Sequence, residues 1–407
     1  MYVPRMGLTI RNIRDDEVEA FRAAIMMAFG DDLDVDPNGP ARTRALLDLA
    51  QVWAAFDGSA IVGTAATIDF GLVVPGGGSL PMAGLTTVMV RPTHRRRGLL
   101  RQLMQHHLDD ARARSYPLSG LWSSEASIYG RFGYGVAAES DVLEVADARL
   151  LHVAPGEVDQ LDWIDEARAR EVLPAIYGRA TARRPGALTR SEVWWRERRF
   201  LEAPFMRSGA SLRRHVVARR GEELVGYVQF RQRSAWTDGM PAGKIEILEL
   251  VAIDARAEAS LWQLVLQIDL FPHVTWWNAP TDDVLAWAVG NPRQVKRRRV
   301  DALWLRVEDI AAALTARTYG ADGDLQLAID GETWSLVVRE GRAVRCARGD
   351  TAAELVMQRD ALGALYLGGV SASRLARAER ITGSAAALAR ADRMFASPVA
   401  PWCPELF

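Results

Sequence analysis

Apolar and polar positions follow two periods along the chain. Alternating or continuous apolar runs at 8–13, 51–56, 60–70, 85–90 and 119–123 predict strands. Asp57-Gly58 joins the second and third of these as a hairpin turn, and Gly76-Gly77-Gly78 makes a flexible turn. A helical stripe of Val18, Phe21 and Ile25 follows Asp15, a residue suited to cap it. A second stripe uses Leu99, Leu100, Leu103, Met104 and Leu108. Residues 124–135 predict a short helix that stops at glycine, then a return strand. The order is α/β with a mixed sheet.

The same pattern returns 163 residues later. Val62-Gly63 matches Val225-Gly226, and residues 250–254 stand where 87–91 stood. At that offset Leu261 takes the place of Gly98, and Glu258, Ala259 and Ser260 the places of Arg95, Arg96 and Arg97. Between the copies, residues 160–200 read as helical, with Trp194 and Trp195 in a core. The basic run Lys296 to Arg299 reads as an exposed strand or an interdomain surface. A third, α+β segment starts near 298. It predicts a strand at 302–307, short strands at 324–329, 333–338 and 342–346, and helices at 307–314, 351–362, 371–378 and 384–395. Three units result, at 1–140, 141–297 and 298–407. The last ends in an unusual tail, Pro398 to Phe407, with three prolines, Trp402 and a terminal phenylalanine. Termini are usually polar and frayed; this one suits docking.

Composition narrows the class. The net charge is −1, with 49% hydrophobic and 25% charged residues. That is ordinary globular usage and argues against bulk nucleic-acid binding. No apolar run reaches membrane-spanning length. Two cysteines, Cys346 and Cys403, make no disulfide framework, so a reducing cytoplasm is expected. The six histidines show no ligand spacing, and no metal is expected.

The chemistry concentrates at residues 87–104. A strand ends at Pro92, Arg95, Arg96 and Arg97 crowd a turn, and Gly98 opens a helix. Such a turn offers free backbone N–H groups, a positive helix end and cations, with no Cβ to block close approach. It suits phosphate. In the second copy, a leucine and an acid argue against phosphate.

At this stretch the chain resembles the GNAT superfamily of acyl-CoA N-acyltransferases. Their pyrophosphate turn is Arg/Gln-x-x-Gly-x-Gly/Ala, and Arg95 to Leu100 stands in its place. Leu100 departs from the small final residue. Tyr129-Gly-Arg-Phe-Gly-Tyr-Gly135 looks like the tyrosine region of that superfamily. Tandem GNAT-like mixed-sheet domains, one active and one degenerate, precede a sterol-carrier-protein-like (SCP2-like) α+β domain that ends in Phe407. That layout is similar to the enhanced intracellular survival (Eis) family.

The resemblance implies an acetyl-CoA-dependent transfer to amines of aminoglycosides or related polyamines, at one or several positions, in a homohexamer. Protein or peptide lysines are alternative acceptors. A hydrophobic-ligand-binding protein is the reading from another class. By the same resemblance Val88, Met89 and Val90 bind the pantetheine arm as an added strand would. Arg95, Arg96, Arg97, Gly98, Leu99, Leu100 and Arg101 hold the pyrophosphate, and Ser124 and Glu125 flank the cofactor. Tyr129 is the general acid, and the Phe407 α-carboxylate the general base.

These groups suit the chemistry. An attacking amine must lose a proton, and a carboxylate can take it. An α-carboxyl ionises at about 3.3 to 3.7, and burial beside Leu406 and the phenyl ring would raise it towards the working range. A tyrosine, near about 10, keeps its proton and can give it to the departing thiolate. Tyr134 falls in the next strand and reads as packing. Asp31, Asp32 and Glu405 are the acidic candidates for holding a polyamine; Asp34 and Asp36 read as surface.

Overall fold

The computed structural model describes residues 7–31, 36–153 and 156–407. The first half contains β1 (Thr9–Asn12), α1 (Val18–Phe29), α2 (Gly39–Leu46), β2 (Val52–Asp57), β3 (Ala60–Val73), β4 (Ser79–Val90), α3 (Leu99–Ala113), β5 (Leu118–Trp122) and β6 (Gly135–Val136). The second contains β7 (Glu139–Val145), β8 (Gln160–Ile164), α4 (Glu166–Thr181), α5 (Glu192–Trp194), β9 (Arg214–Arg220), β10 (Glu223–Arg233), β11 (Trp236–Thr237), β12 (Met240–Pro241), β13 (Lys244–Ala252), α6 (Ala255–Gln267), β14 (His273–Ala279), α7 (Leu285–Ala288) and β15 (Val295–Asp301). The third contains β16 (Leu303–Val307), α8 (Ile310–Ala316), β17 (Gly323–Ile329), β18 (Glu332–Arg339), β19 (Arg342–Arg348), β20 (Leu355–Met357), α9 (Arg359–Tyr366), α10 (Ala372–Arg377), β21 (Ile381–Gly383) and α11 (Ala385–Phe395).

Two seven-stranded sheets repeat one plan. The first runs β1-β2-β3-β4-β5-β16-β6, the second β15-β7-β14-β13-β10-β9-β8. Each has a single parallel pair, β4 with β5 and β13 with β14, bridged by a helix. The first also borrows a strand. β16, read from the sequence as part of the third segment, lies antiparallel between β5 and β6 of the first sheet. β7 follows the first half and pairs with β14 and β15 of the second. The basic run forms edge strand β15, where Arg297 and Arg299 pair with the buried Asp141.

The third sheet runs β19-β18-β17-β20-β21. Here the helix expected at 351–362 is replaced by β20 and α9. Leu355–Met357 pairs with β17 on one side and β21 on the other, so sheet closure overrides local helix preference. Likewise 160–164 is a strand, β8, because it extends the sheet at β9. Trp194 and Trp195 are buried, as the sequence suggests.

The first sheet and the third unit share one apolar core, which joins Phe70, Leu72, Met82 and Leu118 to Leu305, Leu325, Leu362 and Phe395. α9 sits on β16 and β6 through glycine. A Cβ on Gly363 would meet the Leu305 carbonyl oxygen at 2.1 Å, so any side chain there would push the helix off the sheet. The third unit is thereby fixed to the first sheet, and the chain end starts from a rigid platform.

Candidate active site

β4 and β5 pair only at Met82–Leu118, Ala83–Ser119 and Gly84–Gly120. β4 then continues to Val90, while β5 turns its other edge to β16. A fork opens, and the β4 edge over 85–90 has no strand partner on that side among the described residues. Thr87, at φ 54°, bulges there, and its carbonyl accepts from the Thr64 hydroxyl at 2.5 Å. Val88, Met89 and Val90 therefore lie along an unpaired edge that an extended, amide-bearing molecule can complete.

The basic turn stands at the mouth of the fork. Pro92–His94 forms one tight turn, held to the β2–β3 hairpin by His94 Nε2 and Asp57 Oδ2 at 3.0 Å. Arg96 (φ 62°) and Gly98 (φ 77°) are both left-handed, and the helix starts at Leu99. A Cβ at Gly98 would find only Gln102 Nε2, at 3.9 Å, so that side is open. The N–H groups of Leu99, Leu100 and Arg101 have no partner within the helix. Arg95, Arg96, Arg97 and Arg101 are exposed and make no side-chain hydrogen bond or ion pair among the described residues. The Leu99 side chain packs on Ala55 and Val62, and that of Leu100 packs against the cluster that contains Leu103 and Tyr129.

The second copy corrects the ungapped comparison. Leu103 packs over Gly63 and Leu261 over Gly226, each with Cδ1 3.1 Å from where a Cβ would stand. Those leucines lie 158 residues apart and the glycines 163, so five residues are missing between strand and helix. Glu258, Ala259, Ser260 and Leu261 lie inside α6 and do not form a turn. The α6 N-terminus is capped by Asp254, which accepts from Ala257 N–H at 2.9 Å and pairs with Arg220. A carboxylate occupies the place a phosphate would take.

Tyr129 closes the α3 face of the fork. It precedes the turn Gly130–Phe132, is 7% exposed, and packs with Leu85, Leu103 and Leu121. Its ring meets Tyr134 edge-on at 6.2 Å. Burial, aided by the Glu125 charge, pushes its hydroxyl up to about 12. That hydroxyl has no hydrogen-bond partner among the described residues. Ser124 and Glu125 are exposed, just past the end of β5.

Tyr134 is fully buried and committed elsewhere. It donates to Ser119 Oγ at 2.7 Å, and Ser119 donates to the Ala83 carbonyl at 3.1 Å. His107 Nε2 lies 2.8 Å from Ser119 Oγ, and its Nδ1 lies 2.7 Å from the Thr67 hydroxyl. Donors and acceptors balance if Thr67 donates to Nδ1 and Nε2–H donates to Ser119, which makes the imidazole neutral. Burial, with Arg306 nearby, holds it down at about 3.

Phe407 reaches the opposite face. Its ring lies 4.9 Å from that of Phe70, which also meets Trp194 edge-on at 5.0 Å. Phe70 covers Gly84, where a Cβ would fall 2.7 Å from its ring, and Gly84 is the last pair before the fork opens. Leu406 is 49% exposed, whereas the Phe407 side chain packs against the core cluster that contains Phe70. Arg198 donates to the Leu406 carbonyl at 2.9 Å.

Two acidic expectations change. Glu405 is 1% exposed, ion-paired to Arg190 and bonded by Trp194 Nε1 at 2.7 Å, so it has no free face for an amine. Asp36 is paired with Arg42 and Arg22 and is not a solvated surface group. Asp31 is exposed just beyond α1, and Asp32 and Asp34 lie outside the described residues. Carboxylates that the sequence reading missed line a cavity of about 380 Å³ beside Phe70 and Trp194: Asp48 and Asp69. Their only sequence signal was charge, which they share with many surface acids.

Family models agree with this geometry. Residues 9–137 match an acetyltransferase (GNAT) domain, 186–307 a second acetyltransferase (GNAT) domain, and 310–404 a sterol carrier protein domain. The chain is thus a GNAT-type N-acetyltransferase with acetyl-CoA as its co-substrate. An uncharacterized N-acetyltransferase of Streptomyces avermitilis is 36% identical over 412 residues, 99% of this chain and 100% of that protein. N-acetyltransferase Eis of Mycobacterium tuberculosis is 36% identical over 355 residues, 84% of this chain and 85% of the relative. The crystal structure of Eis1 from Mycobacterium abscessus superposes with a TM-score of 0.85 at 28% identity, covering 98% of this chain and 100% of that one. The protein belongs to the Eis family.

Proposed function

We propose that the enzyme acetylates primary amines of aminoglycosides or related polyamines, with Tyr129 as general acid and the Phe407 carboxylate as general base. The docked terminus carries this reading: Phe407 packs on Phe70 at the apex of the fork, on the face opposite Tyr129. Acetyl-CoA supplies a thioester whose acyl carbon accepts the amine. The unpaired edge at 85–90 aligns its amide arm, and the Arg95–Arg101 turn takes its pyrophosphate through backbone N–H groups and guanidinium charge. The carboxylate of Phe407 receives the proton that the attacking nitrogen loses. The Tyr129 hydroxyl, protonated at every physiological pH, gives its proton to the sulfur that leaves. Positioned acid–base help of this kind is worth about 10² to 10⁴ in rate.

A polycationic acceptor is supported by Asp48 and Asp69 in the cavity beside Phe70, and by Asp31 beyond α1. The test is thiol release from acetyl-CoA across a panel of aminoglycosides, polyamines and lysine peptides, with acetyl groups counted by product mass. Higher kcat/KM on aminoglycosides supports the reading; preference for lysine peptides moves the acceptor to protein. A cytoplasmic homohexamer is the accompanying expectation, and light scattering of the purified chain checks the assembly.

A further inference from the structure

The second half of the chain has a fork of its own. β13 and β14 pair from Lys244–His273 to Ile247–Trp276 and then separate. Beyond that point, Glu249 on β13 and Asn278 on β14 are both buried, 1% and 4% exposed. Buried polar groups need partners; Asn278 finds its partners in the chain end, and Glu249 is linked to the chain end through Arg190. Asn278 Nδ2 donates to the Cys403 carbonyl at 3.0 Å, and the Asn278 backbone carbonyl accepts from Trp402 Nε1 at 3.0 Å. Glu249 accepts from Tyr227 at 2.5 Å and pairs with Arg199 at 2.9 Å and Arg190 at 2.5 Å. Arg190 spans to Glu405, and its guanidinium lies over the Tyr177 ring at 3.5 Å. Trp402 N–H bonds the Pro185 carbonyl at 2.8 Å, and a Cβ on Gly186 (φ 91°) would press on the Trp402 backbone at 3.1 Å.

We propose that this degenerate half is a positioning device for the active half. Its fork holds residues 402–405 through Arg190, Glu249 and Asn278, and so fixes where the Phe407 carboxylate ends. The inference rests on the terminal-base reading above. It gives a reason for a duplicated fold without a phosphate turn: the slot that admits an amide-bearing cofactor arm in one copy admits the chain's own tail in the other. Arg190, Glu249 and Asn278 are positioning residues. None touches the reacting atoms; each acts through two to five residues of stiff tail.

The test uses Arg190→Gln and the milder Asn278→Ala, each in the full chain and in the chain lacking Phe407. Two readouts are taken: kcat with acetyl-CoA affinity, and release of the terminal phenylalanine by an aromatic-selective carboxypeptidase. The expected result is a kcat loss of about 10-fold or more with acetyl-CoA affinity unchanged, no further loss when Phe407 is already absent, and faster phenylalanine release. Equal losses with and without Phe407, or a tail that stays protected in both variants, would overturn the inference. Unchanged turnover of the chain lacking Phe407 would instead overturn the terminal base, and with it the positioning role. Phenylalanine release would then still show whether the fork docks the tail.

Discussion

The ring of the last residue, Phe407, lies 4.9 Å from the ring of Phe70, the side chain that covers the apex of the β4–β5 fork. A terminus is thus seated by an aromatic contact at the place where acyl transfer is read to occur. Phe70→Ala removes that seat. It also opens space in a buried cluster, a change worth about 3 to 5 kcal/mol in stability. Phe70→Leu keeps most of the volume and loses the ring contact. We expect Phe70→Leu to lower kcat several-fold while the fold survives by circular dichroism; unchanged kcat would mean the ring contact does not set the terminus.

Tyr129→Phe keeps the buried ring and removes the hydroxyl. Turnover is expected to fall about 10² to 10⁴-fold, with acetyl-CoA affinity unchanged by calorimetry. Tyr134→Phe, by contrast, leaves Ser119 still bonded to Ala83 and His107. It should cost stability, about 1 kcal/mol, and little activity. Reversed results would exchange the roles of the two tyrosines.

One acetyl-CoA should bind per chain. The first fork has an open turn whose cations are unpaired among the described residues, whereas the second has Asp254 at the helix start and the tail in its fork. Titration calorimetry reads the stoichiometry directly, and a value of two would refute the assignment of the second copy. Gly98→Ala should weaken acetyl-CoA binding and cost about 1 to 2 kcal/mol of stability, since φ 77° disfavours a Cβ.

His107 makes stability depend on pH. Its folded value, about 3, lies below the ordinary 6.5 for a histidine, so the unfolded chain takes the proton first. The contribution is complete above about 6.5 and is lost as pH falls towards 3, by up to about 1.4 kcal/mol per pH unit. Denaturant unfolding at pH 7 and pH 5 should show this loss in the wild type, and a smaller one in His107→Gln. Equal losses would show that His107 does not carry it.

Much of this was legible in the sequence, and the failures have physical reasons. The Arg95–Gly98 turn, the strand before it and the α3 stripe could be read because each rests on local rules: proline, glycine and helical spacing. The duplication could be read from strands, whose pattern survives at a fixed offset. The missing five residues could not, because an ungapped comparison places Leu261 against Gly98, whereas packing places it against Leu103. β16 and β20 were mislaid because pairing partners far along the chain decide a strand's sheet. Glu405 looked like a substrate acid by its place near the terminus. Only the fold shows that Arg190, 215 residues away, neutralises it.

In the proposed mechanism the chain's own end is the base. The direct measurement is kcat for three forms: the native chain, one lacking Phe407, and one carrying an added glycine after Phe407, which keeps the ring and displaces the carboxylate. Both altered forms should lose about 10² to 10⁴-fold in kcat while binding acetyl-CoA as the native chain does. Native turnover in the glycine-extended form would contradict the account.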